Sequence, residues 1–476
     1  MRWPDGWTPV AMQRVGLLAP DDTVRELLLR VARAGVVQMP STSPESATGP
    51  ASILLRHTQQ KPKTAVLAAQ APDLGWCEQH DRLDLAAGEA QLEAVAETGV
   101  KHGEVIGFVG WAPKDTLAGL ADGLAPIGGA VVAIRRPRGS QPPTLLAPGS
   151  ARHAFAPLVE TYATPPYRDL DVSVLAGLAY MAMFGMMFAD VGHGALLLAI
   201  ALTARFGHWR RLTIVRPVWV MVAGAGAASM VFGALYGECF GPTHAFPVLW
   251  LSPLDQPVEL LSRAIAVGAL LLAAAYAVAS VNRFREGGWR SAIYASSGLA
   301  GAATFVGLGI IAGGLYTHMT LVTIAGAALA CVAVGVAFVG FFVEAGGGFD
   351  GATQAGVESF DVVTRLGSNV VSFARLAAFG MTHAALGQVV WQSTVGAGRH
   401  GPFGVAAAVL IFVVGNTVTF SLEALIAGVQ ALRLEYYELF SRIFVTEGEP
   451  FRPWHLGVEA GVPVTDSPME ASCPVG

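Results

Sequence analysis

Arg375, His383, Glu423 and Asn416 all fall in stretches apolar enough to lie in a bilayer. Residues 370–390 read VVSFARLAAFGMTHAALGQVV, with Arg375 as a permanent charge and no acid nearby in sequence. A guanidinium at such a place costs about 2.5–3.5 kcal/mol on insertion scales, so it marks a site that binds or moves ions. A snorkelling or structurally paired arginine is the other reading. Helical spacing puts Ser368, Ser372, Arg375 and Thr382 on one narrow face, with His383 about a quarter-turn round. In the next apolar stretch Asn416, Glu423 and Gln430 recur every seven residues on one face, and Arg433 follows three beyond Gln430. Such a polar stripe suits a water-filled path or a proton relay. Interhelical hydrogen bonding is the alternative for Asn416 and Gln430, whereas a carboxylate such as Glu423 reads as a proton carrier or counter-ion.

Two further clusters are secondary candidates. In FGMMFADVGHG (184–194), Asp190 and His193 stand three apart. An Asp/His pair could ligate a metal, but two ligands make a poor site, and a polar cap on a tight helix–helix turn is the simpler expectation. In FGALYGECFG (232–241), Glu238 ends a helix and either lines an outer vestibule or is solvated. Cys77, Cys239, Cys331 and Cys473 show neither CxxC nor metal spacing, so no metal site or disulfide framework is expected from them.

The elements that must hold these residues are mostly membrane helices. Of 476 residues, 53% are hydrophobic and 14% charged, and the mean hydropathy is +0.51. That balance belongs to a polytopic membrane protein. Apolar segments are expected at 172–188, 190–205, 214–237, 259–281, 291–315, 319–343, 363–395 and 402–441. Spanning takes roughly 20 residues, so the first two are marginal. The seventh, at 1.5 Å per residue, covers about 50 Å against a core of about 30 Å. It and the eighth must tilt or project. Arg205, Arg210, Arg211 and Arg216 flank one loop, and Arg283, Arg285 and Arg290 another, while the opposite side carries Asp255, Glu259, Arg263 and Arg399. The positive-inside rule then places both termini in the cytoplasm. Small residues in SGLAGAATFVGLGIIAGG (297–314) suit close helix packing.

All four lysines (Lys61, Lys63, Lys101, Lys114) lie before the apolar region. This sets off a domain of about 165 residues, an ordinary single-domain size. Residues 8–40 read strand–helix–strand, 86–98 an amphipathic helix, and 104–134 strand–helix–strand, giving a small α+β sandwich. A Ser/Thr/Pro-rich loop is expected at 41–52 and a linker at 135–148. The first thirty residues carry no signal-peptide pattern, no phosphate loop GxxxxGK[ST] occurs, and the net charge of −5 argues against a nucleic-acid partner.

FGMMFADVGHG (184–194), SFARLAAFGMTHAALGQ (372–388) and LEALIAGVQALRLEYYELFSRIF (422–444) together resemble subunit a of the rotary V-type and A-type ATPases, called subunit I in many prokaryotes. The opening AMQRVGLLAPDDTVRELLLRVARAGVVQM is similar to that family's first strand–helix–strand, and GFVGWAPKDTLAGL (107–120) and PPTLL (142–146) to its return into the membrane. The resemblance implies a non-catalytic, proton-translocating stator beside a ring of c-type proteolipid subunits, in a prokaryotic-type cell membrane. Its other implied partners are peripheral-stalk, central-stalk and catalytic subunits, with membrane lipid around it and no cofactor. Arg375 then corresponds to the arginine facing the ring and Arg433 to the second arginine. Glu423, His383 and Gln430, with Ser372 and Asn416 on the same stripes, correspond to the ion path.

The expected fold class is therefore a mainly α membrane protein. A small N-terminal α+β cytoplasmic domain (1–165) precedes about eight transmembrane helices (166–455), the last two long and tilted, and 456–476 form a disordered tail. The chain departs from the family where a long coiled-coil hairpin normally contacts the stalks, because residues 41–103 carry no sustained heptads. Ala189 replaces a usual glycine, and Glu435 stands where histidine is common. Two alternatives remain open at this stage. One is a secondary transporter holding substrate with Arg375 and Glu423, which requires broken helices in both halves. The other is a stator-like scaffold that no longer pumps.

Overall fold

The computed structural model describes residues 8–40, 47–58, 62, 64–137, 139–146, 154–207, 215–243, 245–399, 401–444 and 446–459. The chain divides into two compact units, one from 10–145 together with 448 onward, the other from 146–447 with the first nine residues.

In the α+β unit, β1 (Met12–Pro20) alternates so that Val15, Leu17 and Ala19 face inward. Period-2 burial of β-branched and aliphatic residues is what a one-sided sheet requires. Strand β1 is central. It pairs antiparallel with β4 (Val105–Pro113) and β5 (Ala130–Ala133), and β3 (Val100–His102) extends the sheet beyond β4. Helix α1 (Val24–Ala34) buries Leu27, Leu28, Val31 and Ala32 in the same core as Val15, Leu17 and Phe108. The strand expected at 36–39 shrinks to a single bridge, Gln38 to Trp111. Pro40 follows immediately and has no N–H with which to extend a ladder.

Residues between α1 and β3 fold compactly as α2 (Pro50–Thr58), β2 (Val66–Ala68), α3 (Leu74–Gln79) and α4 (Leu83–Ala96). The longest of these helices has 14 residues, so no coiled-coil hairpin occurs among the described residues of this interval. Glu93 on α4 accepts from Ala51 N (3.0 Å), Ser52 N (3.1 Å) and Ser52 Oγ (2.9 Å), satisfying the first orphan donors of α2. Helix α5 (Leu117–Leu124) lies between β4 and β5 in sequence, as its apolar spacing predicts.

The end of the chain corrects the expected boundaries. Residues 448–459 rejoin the α+β unit instead of closing the membrane region or beginning a tail at 456. Thr144 N donates to Glu449 O and Trp454 N to Val37 O. The short β6 (Gly457–Glu459) pairs in parallel with β2. An unpaired β2 edge would leave backbone donors unsatisfied, and β6 supplies their partners. Arg82 locks the join by binding both Asp84 (2.9 Å) and Glu459 (2.6 Å), and these contacts hold the Asp84 carboxyl below its ordinary range. The expected linker is stitched in too, since Val10 N donates to Leu145 O. Residues 138, 147, 148 and 460–476, like 41–46, Lys61, Lys63, Arg210 and Arg211, lie outside the described residues.

The other unit is helical. After α6 (Ala156–Tyr162) come two short apolar helices, α7 (Ser173–Met187) and α8 (Val191–Phe206), of 15 and 16 residues. Among the described residues, six helical stretches are long and apolar enough to cross a membrane. They comprise α9 (Trp219–Tyr236), α10 (Pro257–Tyr294), α11 (Leu299–Tyr316), α12 (Thr320–Glu344), the pair α13 (Gly348–Ser372) and α14 (Ala374–Gly398), and α15 (Gly401–Leu434) with its continuation to Ile443. Small residues bring α11 and α12 together: a Cβ on Gly307 would lie 2.8 Å from Ala330 N.

Three expectations change here. Helix α10 runs on through Arg283 and Arg285 and kinks at Gly288, so those arginines are helical rather than in a loop. The seventh segment starts at Gly348, not 363, and breaks at Phe373. There Phe373 N bonds Val370 O (3.2 Å) and Leu376 N bonds Phe373 O (3.0 Å), a tightened i→i+3 turn. The fully buried Phe373 ring occupies the space a side chain at position 268 would need, since a Cβ on Gly268 would come within 2.1 Å of it. Ser368 and Ser372 thus ride on α13 while Arg375, Thr382 and His383 ride on α14. The eighth segment ends in a π-helical turn, Glu435–Phe440, before α16 (Ser441–Ile443).

Candidate functional site: a buried carboxylate–histidine cluster

Asp190 ends the tight connection between α7 and α8 in extended conformation, and its Oδ1 accepts from His193 N at 2.8 Å. This is the helix cap that the sequence suggests. Its Oδ2 accepts from Gly241 N at 3.0 Å, so the carboxylate also fixes the loop after α9. On α8, His193 Nε2 lies 3.1 Å from Asn416 Oδ1 of α15. On α14, His383 Nδ1 is hydrogen-bonded to Glu423 Oε2 of α15, and its Nε2 lies 4.0 Å from Asp190 Oδ2. Asp190, His193, His383, Asn416, Glu423 and Glu238 are all buried. Burial disposes of the solvated reading of Glu238, whose Oε2 has no hydrogen-bond partner. Phe188 and Phe240 wall the cluster, with ring centroids 5.1 Å from His383 and 5.3 Å from His193.

The loop bearing Glu238 is held by backbone contact. Gly241 has φ +88°, and a Cβ there would meet Gly387 O of α14 at 2.6 Å. Gly241→Ala combines a left-handed conformation, about 1–2 kcal/mol, with overpacking of about 1–3 kcal/mol. The expected result is a lowered melting temperature for the purified chain in detergent. An unchanged melting temperature would show that the loop is not held this way.

The arginines stand apart from this cluster. Arg375 occupies the first turn of α14, half-buried, and Arg433 is exposed near the end of α15. Neither guanidinium has an acid or hydrogen-bond partner among the described residues. Helices α14 and α15 are packed and joined by only two residues, so they run antiparallel. Arg375 is then about 12 Å along α14 from His383, and Arg433 about 15 Å along α15 from Glu423, both toward the same end. Gln430 is half-buried with an unpartnered Oε1. Ser372 and Thr382 are satisfied within their own helices, by Ser368 O (3.2 Å) and Ala378 O (2.9 Å), and do not join the cluster.

A family model described as the V-type ATPase 116 kDa subunit family matches residues 102–256. Over 375 residues the chain is 26% identical to A-type ATP synthase subunit I of Halobacterium salinarum, covering 63% of this chain and 50% of that protein. It is 26% identical over 372 residues to the subunit of the same name from Thermococcus kodakarensis, covering 73% and 53%. A shorter match, 29% over 138 residues, is to V-type proton ATPase subunit a of Schizosaccharomyces pombe, covering 27% and 16%. The chain is thus similar to these subunits over the matched residues. It spans about half the length of the curated relatives it matches. The segment matched by the family model carries Asp190, His193 and Glu238, while His383, Glu423 and the two arginines lie beyond it.

Sequence reading gave no site role to two further polar groups, noting Glu435 of the first only as a departure from the family pattern. In the π-helical turn, Glu435 is fully buried with both carboxylate oxygens unpartnered. Asn369 of α13 there donates to Glu438 Oε2 (2.9 Å) and accepts from Arg442 Nη2 (2.6 Å). A run of acids after a long apolar helix was the available signal, but π-bulge geometry has no simple sequence mark. The second group surrounds Asp169, which is fully buried before α7. Near it Arg283 pairs with Glu286 (2.6 Å), Arg168 donates to Glu286 O (2.8 Å), and Leu170 N donates to Asn282 Oδ1 (3.0 Å).

Burial, reinforced by the Glu286 carboxylate, pushes the Asp169 carboxyl to about 7, against the pull of Arg283 and Arg285. Between its ordinary value and about 7 the folded chain holds a proton that the unfolded chain has released, so stability falls as pH rises through that window. Asp169→Asn is expected to flatten this dependence and raise the melting temperature at pH 8 relative to wild type. Melting curves in detergent between pH 4 and 8 measure it, and parallel curves for the two proteins would contradict it.

Proposed function

We propose that this chain is the membrane stator subunit of a rotary V/A-type ATPase, that it forms two proton half-channels beside a ring of carboxylate-bearing proteolipid subunits, and that it couples ring rotation to proton translocation. The observation that carries this reading is Arg375, a permanent cation with no internal partner among the described residues. It lies on a helix pair whose outward residues, including Leu386, Val389, Leu422, Leu425 and Val429, are exposed and apolar.

A ring carboxylate in lipid keeps its proton, because low dielectric disfavours the charged form. Passing Arg375, it ionises and releases that proton into one half-channel. It is recharged from the other before returning to lipid. Arginine suits this station because it does not surrender its own proton and so blocks a direct leak. On one side of Arg375, Glu238, Asp190, His193, Asn416, His383 and Glu423 form one path. On the other, Arg433, Gln430, Glu435, Glu438 and Arg442 form the second. ATP chemistry belongs to partner subunits, the protein sits in a cell membrane with both termini cytoplasmic, and the compact residues 47–103 take the place of the stalk-binding hairpin.

The test is ATP-driven acidification of vesicles carrying the assembled complex, with wild-type or Arg375→Ala chain. Pumping should vanish in the variant while subunit stoichiometry is kept; a variant that still pumps would overturn the reading.

A further inference from the structure

Asp190, His193 and His383 place one ligand-type atom each within 4.8 Å of one another, and all three are buried. The hydrogen bonds around them decide where the imidazole lone pairs point. Asn416 Nδ2 donates to Phe412 O (2.9 Å), which fixes its Oδ1 as an acceptor. His193 Nε2 must therefore carry the hydrogen it shares with Asn416. In the neutral ring that leaves the lone pair on His193 Nδ1, which is buried, has no hydrogen-bond partner among the described residues, and lies 3.9 Å from Asp190 Oδ1. The same logic holds on the opposite side. Glu423 takes the hydrogen from His383 Nδ1, so His383 Nε2 faces Asp190 Oδ2 at 4.0 Å.

Two imidazoles thus turn free ring nitrogens toward one carboxylate while an amide and a second carboxylate hold their other nitrogens. That is the outer-shell arrangement of metal-binding histidines. A tetrahedral zinc ion with bonds of about 2.0–2.1 Å needs ligand atoms roughly 3.3 Å apart. His193 Nδ1 stands 3.9 Å from Asp190 Oδ1 and His383 Nε2 4.0 Å from Asp190 Oδ2, with one ligand atom from each residue within 4.8 Å of the others, so reaching that spacing takes closures of up to about 1.5 Å. Two nitrogens and one carboxylate oxygen suit Zn²⁺ and not the hard cations, which prefer all-oxygen shells.

We infer that Asp190, His193 and His383 form a binding site for one divalent transition-metal ion, best matched by Zn²⁺, with a fourth position left for water, and that the bound ion closes the adjoining proton path. The site stands on geometry alone; the closure rests on the function proposed above. With the ion in place, His383 Nε2 and His193 Nδ1 are both occupied by metal and can no longer accept a proton from Asp190 or water.

Zn²⁺ binding is measured by titrating ZnCl₂ into the assembled complex against a chromophoric chelator, and separately by the visible spectrum of the Co²⁺ form. Wild type is expected to bind one ion more per chain than His193→Gln. It should also show the intense bands of tetrahedral Co²⁺, absent in that variant. Asp190→Asn keeps an oxygen for the helix cap and should also lose the site. Asn416→Leu leaves the three ligands in place but removes an outer-shell acceptor, and should weaken binding about 10–100-fold. If wild type and His193→Gln bind the same number of ions with the same affinity, the site is refuted. Acidification assays of the wild-type complex then read closure: pumping should stop over the same Zn²⁺ concentrations at which the titration fills the site, and return when a chelator strips the ion. Undiminished pumping with the site filled would refute closure. A complex that binds Zn²⁺ as expected but never acidifies vesicles would refute the proposed function and leave the site standing.

Discussion

Arg375→Lys is expected to abolish ATP-driven acidification as completely as Arg375→Ala, although it keeps a cation at the position. Lysine in a low-dielectric setting can discharge by losing its proton, whereas a guanidinium stays charged there. A neutral amine would neither draw the ring carboxylate into ionising nor block proton passage between the two paths. Its single ammonium also lacks the planar fork that binds a carboxylate bidentately. Leaving a buried carboxylate without its charge partner costs about 3–5 kcal/mol, and about 1.4 kcal/mol is a factor of ten in rate. Pumping should therefore fall at least a hundredfold. Folding and assembly should survive, because the Arg375 guanidinium makes no hydrogen bond or ion pair among the described residues of its own chain. The measurement pairs acidification with ATP hydrolysis and subunit stoichiometry for wild type, Arg375→Lys and Arg375→Ala. A lysine variant that pumps at even a tenth of the wild-type rate would rule out the fixed-charge role.

Much of the architecture was readable because it follows from local periodicity. The alternation of Val15, Leu17 and Ala19 marks β1, and the apolar runs mark the helices that bear Arg375, His383 and Glu423. What sequence could not supply is whatever depends on distant partners. The break at Phe373 exists because Gly268, 105 residues earlier in the chain, leaves room for its ring. Strand β6 forms because β2 offers an open edge nearly 400 residues away. Asp190 and His193 read as a two-ligand pair with little chemical promise until α14 brings His383 beside them. Glu238 could be placed at a helix end but not inside or outside, since burial is a property of the assembled helices. Spacing of seven along α15 located Asn416 and Glu423 on one face, and the fold divides their labour: Asn416 holds His193 and Glu423 holds His383.

That division gives the second large effect. His383→Leu and Glu423→Leu should each destabilise the chain by about 3–5 kcal/mol, the usual result of removing one partner from a buried polar pair. In the first, Glu423 is left buried with neither oxygen satisfied, since its Oε1 already has no partner. In the second, His383 Nδ1 loses its only acceptor. The double variant should recover much of either loss, because two apolar side chains of similar volume replace the pair without stranding a polar group. Because the double variant should then cost less than either single one, the coupling should reach about 3 kcal/mol or more, the upper end of what contacting residues show. Melting temperatures of the four proteins in detergent measure it, and simple additivity would mean that the two side chains do not act as a unit. Pumping separates structure from function in the same set. The double variant should be folded and assembled yet pump poorly, because a pair of leucine side chains offers no site at which a proton can rest between Glu238 and Arg375. A stable double variant that pumps like wild type would take His383 and Glu423 out of the path and leave them as structural glue.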